Sequence, residues 1–352
     1  MNRVRALLGA STLLRHLLLA LLAGFALYLL SLELDPFRNF QLATVAAYLC
    51  ATAGLTVLTG LSGQLSLGHG ALMAVGAYTV ALCQNALAEH DVTGNGVLPL
   101  SLLAGVLVTM AAGAVIGLAA ARLRGPYLAG VTLAVAVAVP AATVTFDELF
   151  NSEQGLGVYV EPPPLSLGPY FPNERWQAWI ALLGALLTML LLANLTRGRF
   201  GRTLRAVRDD EVAARLSGIN VARAQVLAFV VSAAGAGLGG GLLAVLAQSV
   251  SPGAFSLTLS LFLLMAVVIG GLGSLSGAVW GALLLVALPD LAHEVSSGLV
   301  ASSPGAAQRL EGNLPLLVFG LTLIVVMIAM PGGVQSLLRR LTGWARRRLP
   351  SR

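Results

Sequence analysis

The chain reads as long apolar runs divided by short polar stretches, without the alternation of a half-buried strand. "FQLATVAAYLCATAGLTVLTG" (Phe40–Gly60) contains no charge, and about 20 such residues suffice to cross a bilayer as a helix. Runs of this kind predict ten spans: Leu17–Leu32, Phe40–Gly60, Leu67–Cys83, Leu98–Ala120, Pro126–Phe146, Trp176–Leu195, Val226–Val250, Phe255–Gly271, Ala278–Leu291 and Leu314–Met330. The third, eighth and ninth are short or glycine-interrupted. The pattern predicts an all-α polytopic membrane protein of about ten transmembrane helices.

The interruption "LSGQLSLGHGALMAVGAY" (Leu61–Tyr78) is polar where a span should continue. Gly63, Gly68 and Gly70 sit there with Gln64, Ser66 and His69. Irregular backbone at membrane depth survives only where protein buries it or where it lines a cavity. Two readings follow: small residues that let helices approach closely, or a broken helix end beside a solute pathway. A second cluster, "VVIGGLGSLSGAVWGA" (Val267–Ala282), carries Gly270, Gly271, Gly273 and Gly277 and raises the same choice. One break in each part of the chain suggests two inverted halves, as in transporters built from repeats, although the two stretches do not align with each other.

Composition agrees with the pattern: of 352 residues, 57% are apolar and 10% charged. Charge then supplies orientation, because basic residues collect on the cytoplasmic side. With the N-terminus inside, eighteen of the 21 arginines fall on that side, and twelve of the 15 acidic residues on the other. Both termini are therefore expected in the cytoplasm. The first run follows Arg3, Arg5 and Arg15 and lacks a small-x-small cleavage site, so a retained span is expected rather than a cleaved leader.

Several chemistries lose their residues. The chain has no lysine, which excludes a Walker A loop and a lysine Schiff base. Cys50 and Cys83 lie in apolar runs, and the four histidines are scattered, so no metal, cofactor or catalytic site is read. Intramembrane charges usually serve ions or protons, and spans two, four to eight and ten hold no Asp, Glu, Arg or His. A proton relay has nowhere to sit, whereas a sodium site of carbonyls and hydroxyls stays open. No span holds paired carboxylates, HExxH or a Ser/His couple, so an intramembrane enzyme has no support.

The inner loop Thr196–Gln225 is the most charged segment. Leu204, Val207, Val212 and Leu216 spread too far around a wheel for one amphipathic helix, so two short helices with a bend near Asp209–Asp210 are expected. Glu211 and Arg215 stand at i, i+4 in the favourable order, and Gly218 and Asn220 are helix-stop residues. A solvated orienting loop and a socket for another protein are both compatible with this. The outer loop Asp147–Arg175 is proline-rich, with Trp176 and Trp179 at its end. The basic tail 332–352 suits anionic lipid.

Collinear segments here resemble one family. "GLSGQLSLGHGALMAVGAYTVAL", "RLRGPYLAGVTLAVAVAV", "FGRTLRAVRDDEVAARLSGINVARAQVLAFVVSAAGAGLGGGLLA", "VVIGGLGSLSGAVWGALLL" and "MPGGVQSLLRRL" are similar to the M-type permease of branched-chain amino acid ABC importers. The resemblance implies a single transmembrane permease domain over 1–352, with 147–175 outside, 196–225 as the coupling loop and 332–352 as an inner tail. It implies a second (H-type) permease, two cytoplasmic ABC ATPases and an extracytoplasmic solute-binding protein as partners. Membrane lipid is expected around it and no nucleic acid; the location implied is the bacterial inner membrane. Arg205, Asp209, Asp210, Glu211, Ala213, Ala214 and Gly218 would carry ATPase coupling. The substrate pathway would pass Gly63, Gln64, Ser66, Gly68, His69, Gly70, Gly270, Gly271 and Gly273. Two departures stand out: Val212 intervenes in the EAA pattern with no later proline, and "NSEQGLGVYVEPPP" replaces a Gly-Gly-rich stretch after the fifth span. The rival reading is a self-sufficient sodium-coupled carrier for a small solute.

Overall fold

The computed structural model describes residues 12–302 except 93, 95, 124, 125, 161 and 169, and further 317, 320, 321, 324, 325, 328 and 333–336. The first spans are α1 (Thr12–Glu33), α2 (Pro36–Leu55), α3 (His69–Glu89), α4 (Val97–Ala120) and α5 (Pro126–Thr145). A short α6 (Asp147–Phe150) and strand β1 (Leu156–Gly157) precede α7 (Asn173–Arg197). Then come α8 (Arg199–Asp209), α9 (Glu211–Leu216), α10 (Val221–Ala247), β2 (Ser249–Val250), α11 (Leu257–Gly270) and α12 (Leu275–Ser302). Eight helices among the described residues are long and apolar enough to cross a membrane, and Leu275–Asp290 is a shorter apolar one. The tenth expected span and the basic tail lie mostly outside the described residues.

The middle of the bundle is built on small residues. α10 packs against α2, α3 and α4, and its "AAGAGLGGG" run meets each with a different glycine. A Cβ on Gly235 would lie 2.6 Å from the Cys50 carbonyl oxygen, one on Gly237 2.6 Å from Thr109 Oγ1, and one on Gly239 2.6 Å from the Ala47 carbonyl oxygen. A Cβ on Gly240 would collide with the Met73 carbonyl. With no hydrophobic drive between helices in lipid, such backbone-to-backbone approach is what holds them. α7 packs on α2 through Ala43, Ala46, Ala47, Ala178, Ala181 and Ala185. α1 rests on α7 and is otherwise exposed.

Contacts between span ends sort onto two faces. On one, Trp179 Nε1 donates to Ser31 Oγ at 2.8 Å and Gln41 Nε2 to Asp290 Oδ2 at 2.6 Å. There too β1 pairs antiparallel with β2, Leu156 opposite Val250. On the other, His16 Nδ1 lies 2.7 Å from Asn194 Oδ1, and the loop helices α8 and α9 meet the end of α2.

Boundaries move where local chemistry overrides hydropathy. The seventh span starts at Val221, because Asn220 caps it, accepting from the Arg223 N–H at 2.9 Å. Asn220 is therefore a helix start and not the stop expected from sequence. The ninth expected span does not end at Leu291; α12 runs through Pro289 to Ser302.

Candidate functional site

The helix break, the second glycine cluster and the charged loop converge at one junction. α2 does not end cleanly: from Thr56 to Leu61 it widens into a π-helix. Thr56, Thr59 and Ser62 hydroxyls each bond the carbonyl four residues back, at 2.7, 2.8 and 2.7 Å, and such back-bonding competes with the backbone ladder and bends helices. Gly63 then turns the chain at φ 73°. Beyond it the chain is irregular to Gly68. Gln64 and Ser66 turn inward, while Gly63 and Leu65 are exposed. This alternation is that of an extended strand, and α3 starts at His69.

His69 is fully buried, its Nε2 3.0 Å from the Ala51 carbonyl oxygen of α2. Its Nδ1 is buried with no hydrogen-bond partner. The Gly70 N–H donates to Ser260 Oγ of α11 at 3.0 Å. The Leu67 N–H donates to Thr132 Oγ1 of α5 at 3.0 Å, and a Cβ on Gly68 would lie 2.6 Å from the Thr132 carbonyl oxygen. The second cluster closes on itself and on the first. A Cβ on Gly270 would strike the Gly277 carbonyl, and one on Gly60 would strike the Gly273 backbone. A Cβ on Gly333 would clash with the backbone of Gly271.

The charged loop folds as two helices bent at Asp210, as expected. α8 buries Gly201, Leu204 and Val207 at a helical spacing and is tied back by Arg205 Nη2 donating to the Thr196 carbonyl at 3.2 Å. Asp210 is extended (φ −158°, ψ 110°), and its Oδ1 accepts from the N–H groups of Val212 and Ala213 at 2.8 and 3.0 Å. The far end of α9 is a complete Schellman closure. Gly218 is at φ 81°, with Gly218 N–H to Arg215 O and Ile219 N–H to Ala214 O, both at 3.0 Å. Glu211 pairs with Arg215 at 3.7 Å and accepts from Gln225 Nε2 of α10 at 3.1 Å. Ala214 faces inward, while Val212 and Leu216 are 67% and 86% exposed. Val212 and Leu216 are thus two bare apolar side chains about one turn apart, on a helix anchored from behind.

Sequence reasoning missed the residue joining these parts. Arg208 Nη1 donates to the Gly60 carbonyl at 2.8 Å, and its Nη2 and Nε bond Asp209 Oδ1 at 2.8 and 3.0 Å. A Cβ on Gly63 would lie 2.8 Å from Arg208 Cγ, so the turn lies flat on the arginine stem. Gly60 and Arg208 stand 148 residues apart in sequence, and nothing near either announces the other. Gln225, the tether of α9, was likewise unread. Among the described residues no group of His, Cys, Asp or Glu is placed to hold a metal.

Long apolar helices packed through glycines and alanines, with a folded charged loop at one face, define a multi-pass membrane protein. Comparison with known proteins gives the family. Residues 39–327 match the model of the branched-chain amino acid transport system / permease component, and the chain belongs to that family. It is 32% identical over 313 residues to the high-affinity branched-chain amino acid transport system permease protein LivM of Salmonella typhimurium, covering 83% of this chain and 68% of that one. The LivM protein of Escherichia coli is 31% identical over the same shares, and the LivH permease protein of Escherichia coli 26% identical, over 82% of this chain and 91% of LivH. No solved structure matches the chain. Family membership does not favour the sodium-coupled carrier.

Proposed function

We propose that the chain is a permease subunit of an ABC importer, moving branched-chain amino acids or a related small polar solute on ATP hydrolysed by separate partner ATPases. The observation that carries this is α9: a capped, Schellman-closed helix that presents Val212 and Leu216 bare while Ala214 and Glu211 fix its back. Arg205, Asp209, Asp210, Glu211, Ala213, Ala214 and Gly218 build that contact or hold its shape. A second permease completes the pore, and an extracytoplasmic binding protein delivers the solute, in the inner membrane of a bacterium with both termini in the cytoplasm.

The solute path runs past Gly63, Gln64, Ser66, Gly68, His69 and Gly70 and past Gly270, Gly271 and Gly273. The unpartnered Nδ1 of His69 and the inward Gln64 and Ser66 support this. Both glycine clusters are held shut by backbone contact, so translocation requires them to part.

Reversing Asp209, Asp210 and Glu211 together to arginine is the test. Uptake and ATPase co-purification are expected to be lost while membrane insertion is retained. Gradient-driven accumulation by the purified chain alone, without ATPases, would refute the proposal.

A further inference from the structure

We infer that Arg208 is a positioning residue that passes movement of the ATPase-contact helices to the two glycine breaks. This rests on the reading of α8 and α9 as the ATPase contact. The side chain is placed for it at both ends. Asp209, at the bend between α8 and α9, fixes the guanidinium through two bonds to one carboxylate oxygen. The remaining amino group bonds the Gly60 carbonyl, in the π-helical turn that ends α2. A guanidinium can hold two partners in fixed relative geometry because it is planar and many-pronged.

Gly60 is the right place to push. π-helical turns leave the ladder irregular and gather at functional sites. Gly60 also abuts Gly273 so closely that no side chain fits between their backbones. A shift of Gly60 therefore moves the Gly270–Gly273 turn, and through Gly271 the Gly333 backbone packed on it. The Arg208 stem lies under Gly63, so the start of the irregular segment moves with the same side chain. One residue thus touches the end of α2 and the entry to the break, and reaches the second cluster through Gly60.

Three other arginines of the loop are held locally instead. Arg205 and Arg202 bond carbonyls of their own neighbourhood, Thr196 and Arg197, and Arg215 pairs within α9.

The test uses the whole importer in vesicles: this chain with its ATPases, second permease and binding protein, and radiolabelled leucine as probe. Arg208→Met keeps the stem under Gly63 and removes every donor; Arg208→Lys keeps the stem and one donor. Co-purification of ATPases, ATP hydrolysis and leucine uptake are read for each. R208M is expected to assemble and hydrolyse ATP while uptake per ATP falls about tenfold, within the range seen when coupling residues are changed, and R208K is expected to recover part of it. Uptake per ATP equal to wild type in R208M overturns the inference. Loss of ATPase binding in R208M to the extent of the triple acidic reversal also overturns it, since Arg208 would then belong to the docking surface. Failure of R208M to insert would make Arg208 a fold residue and overturn it as well. A wild-type chain that binds no ATPase fails the functional proposal instead, a result separable from these.

Discussion

Asp210 offers a sharp separation of two reasons for an acidic residue at the bend: its charge and its cap. Its Oδ1 takes two N–H groups of α9, at 2.8 and 3.0 Å, and α9 has only six residues. Helices this short are marginal without outside support. Replacing such a cap with alanine costs about 0.5–2 kcal/mol, and one to two kcal/mol changes a folded ratio by about 5–30-fold. The Schellman closure, buried Ala214 and the Gln225 tether remain, so the low end applies. If only folded α9 binds, apparent affinity falls with the competent fraction, giving ATPase binding weaker by at most about fivefold for Asp210→Ala, the full factor being reached when folded α9 is the minor form. Asp210→Asn keeps the acceptor, and asparagine caps as well as aspartate; its binding should stay within about twofold of wild type. The assay is a titration of the partner ATPase onto the permease in nanodiscs, at fixed salt because exposed charges are screened. Asparagine as damaging as alanine would show that charge, not capping, is what matters, and the reasoning from α9 folding would fail.

The glycine-packed interior predicts Gly240→Val to destabilise by about 1–3 kcal/mol, the usual cost of overpacking, seen as a lower melting temperature in detergent, while Gly253→Ala, where nothing lies within 4 Å, should be silent. Trp179→Phe should loosen α1 less than Trp179→Ala. The first loses the bond to Ser31, about 0.5–1.5 kcal/mol; the second also loses ring contacts with Tyr28 and Phe171 at 5.2 and 5.1 Å. Disulfide trapping between α1 and α7 reads the difference. His16→Ala should cost little, about 0.6 kcal/mol, since polar pairs between membrane helices average that; a large fall in melting temperature would mean that His16 does more than bond Asn194.

Much of this was legible because its signals are local. Apolar run length placed the eight helices long enough to cross a membrane and the shorter apolar one after them, and the arginine partition expected Trp179 and Asp290 on the face opposite Arg208. The spread of Leu204, Val207, Val212 and Leu216 gave the bend at Asp210, since no single helix could bury all four; two are buried and two bare. What stayed hidden depends on the chain meeting itself. The Arg208–Gly60 bond spans 148 residues, and nothing near either residue announces the other. The β1–β2 pair joins the segment after α5 to the one after α10, through strands of two residues each, too short for any period. Asn220 misled because asparagine serves at either helix end, and only the following Val221–Ala247 helix decides which. Glycine spacing left packing and pathway as rivals; the structure shows tight packing at Gly68, Gly70 and Gly270, which a pathway reading must open.

The glycine run of α10 has a mechanical consequence. Helices that touch backbone to backbone have no compliant side chains between them to absorb sliding, so α2, α3, α4 and α10 must travel as one stiff block. Any stroke has to be accommodated at the margins of that block, at hinges such as the π-helical turn and at the seam with a neighbouring subunit, and not by shear through its middle.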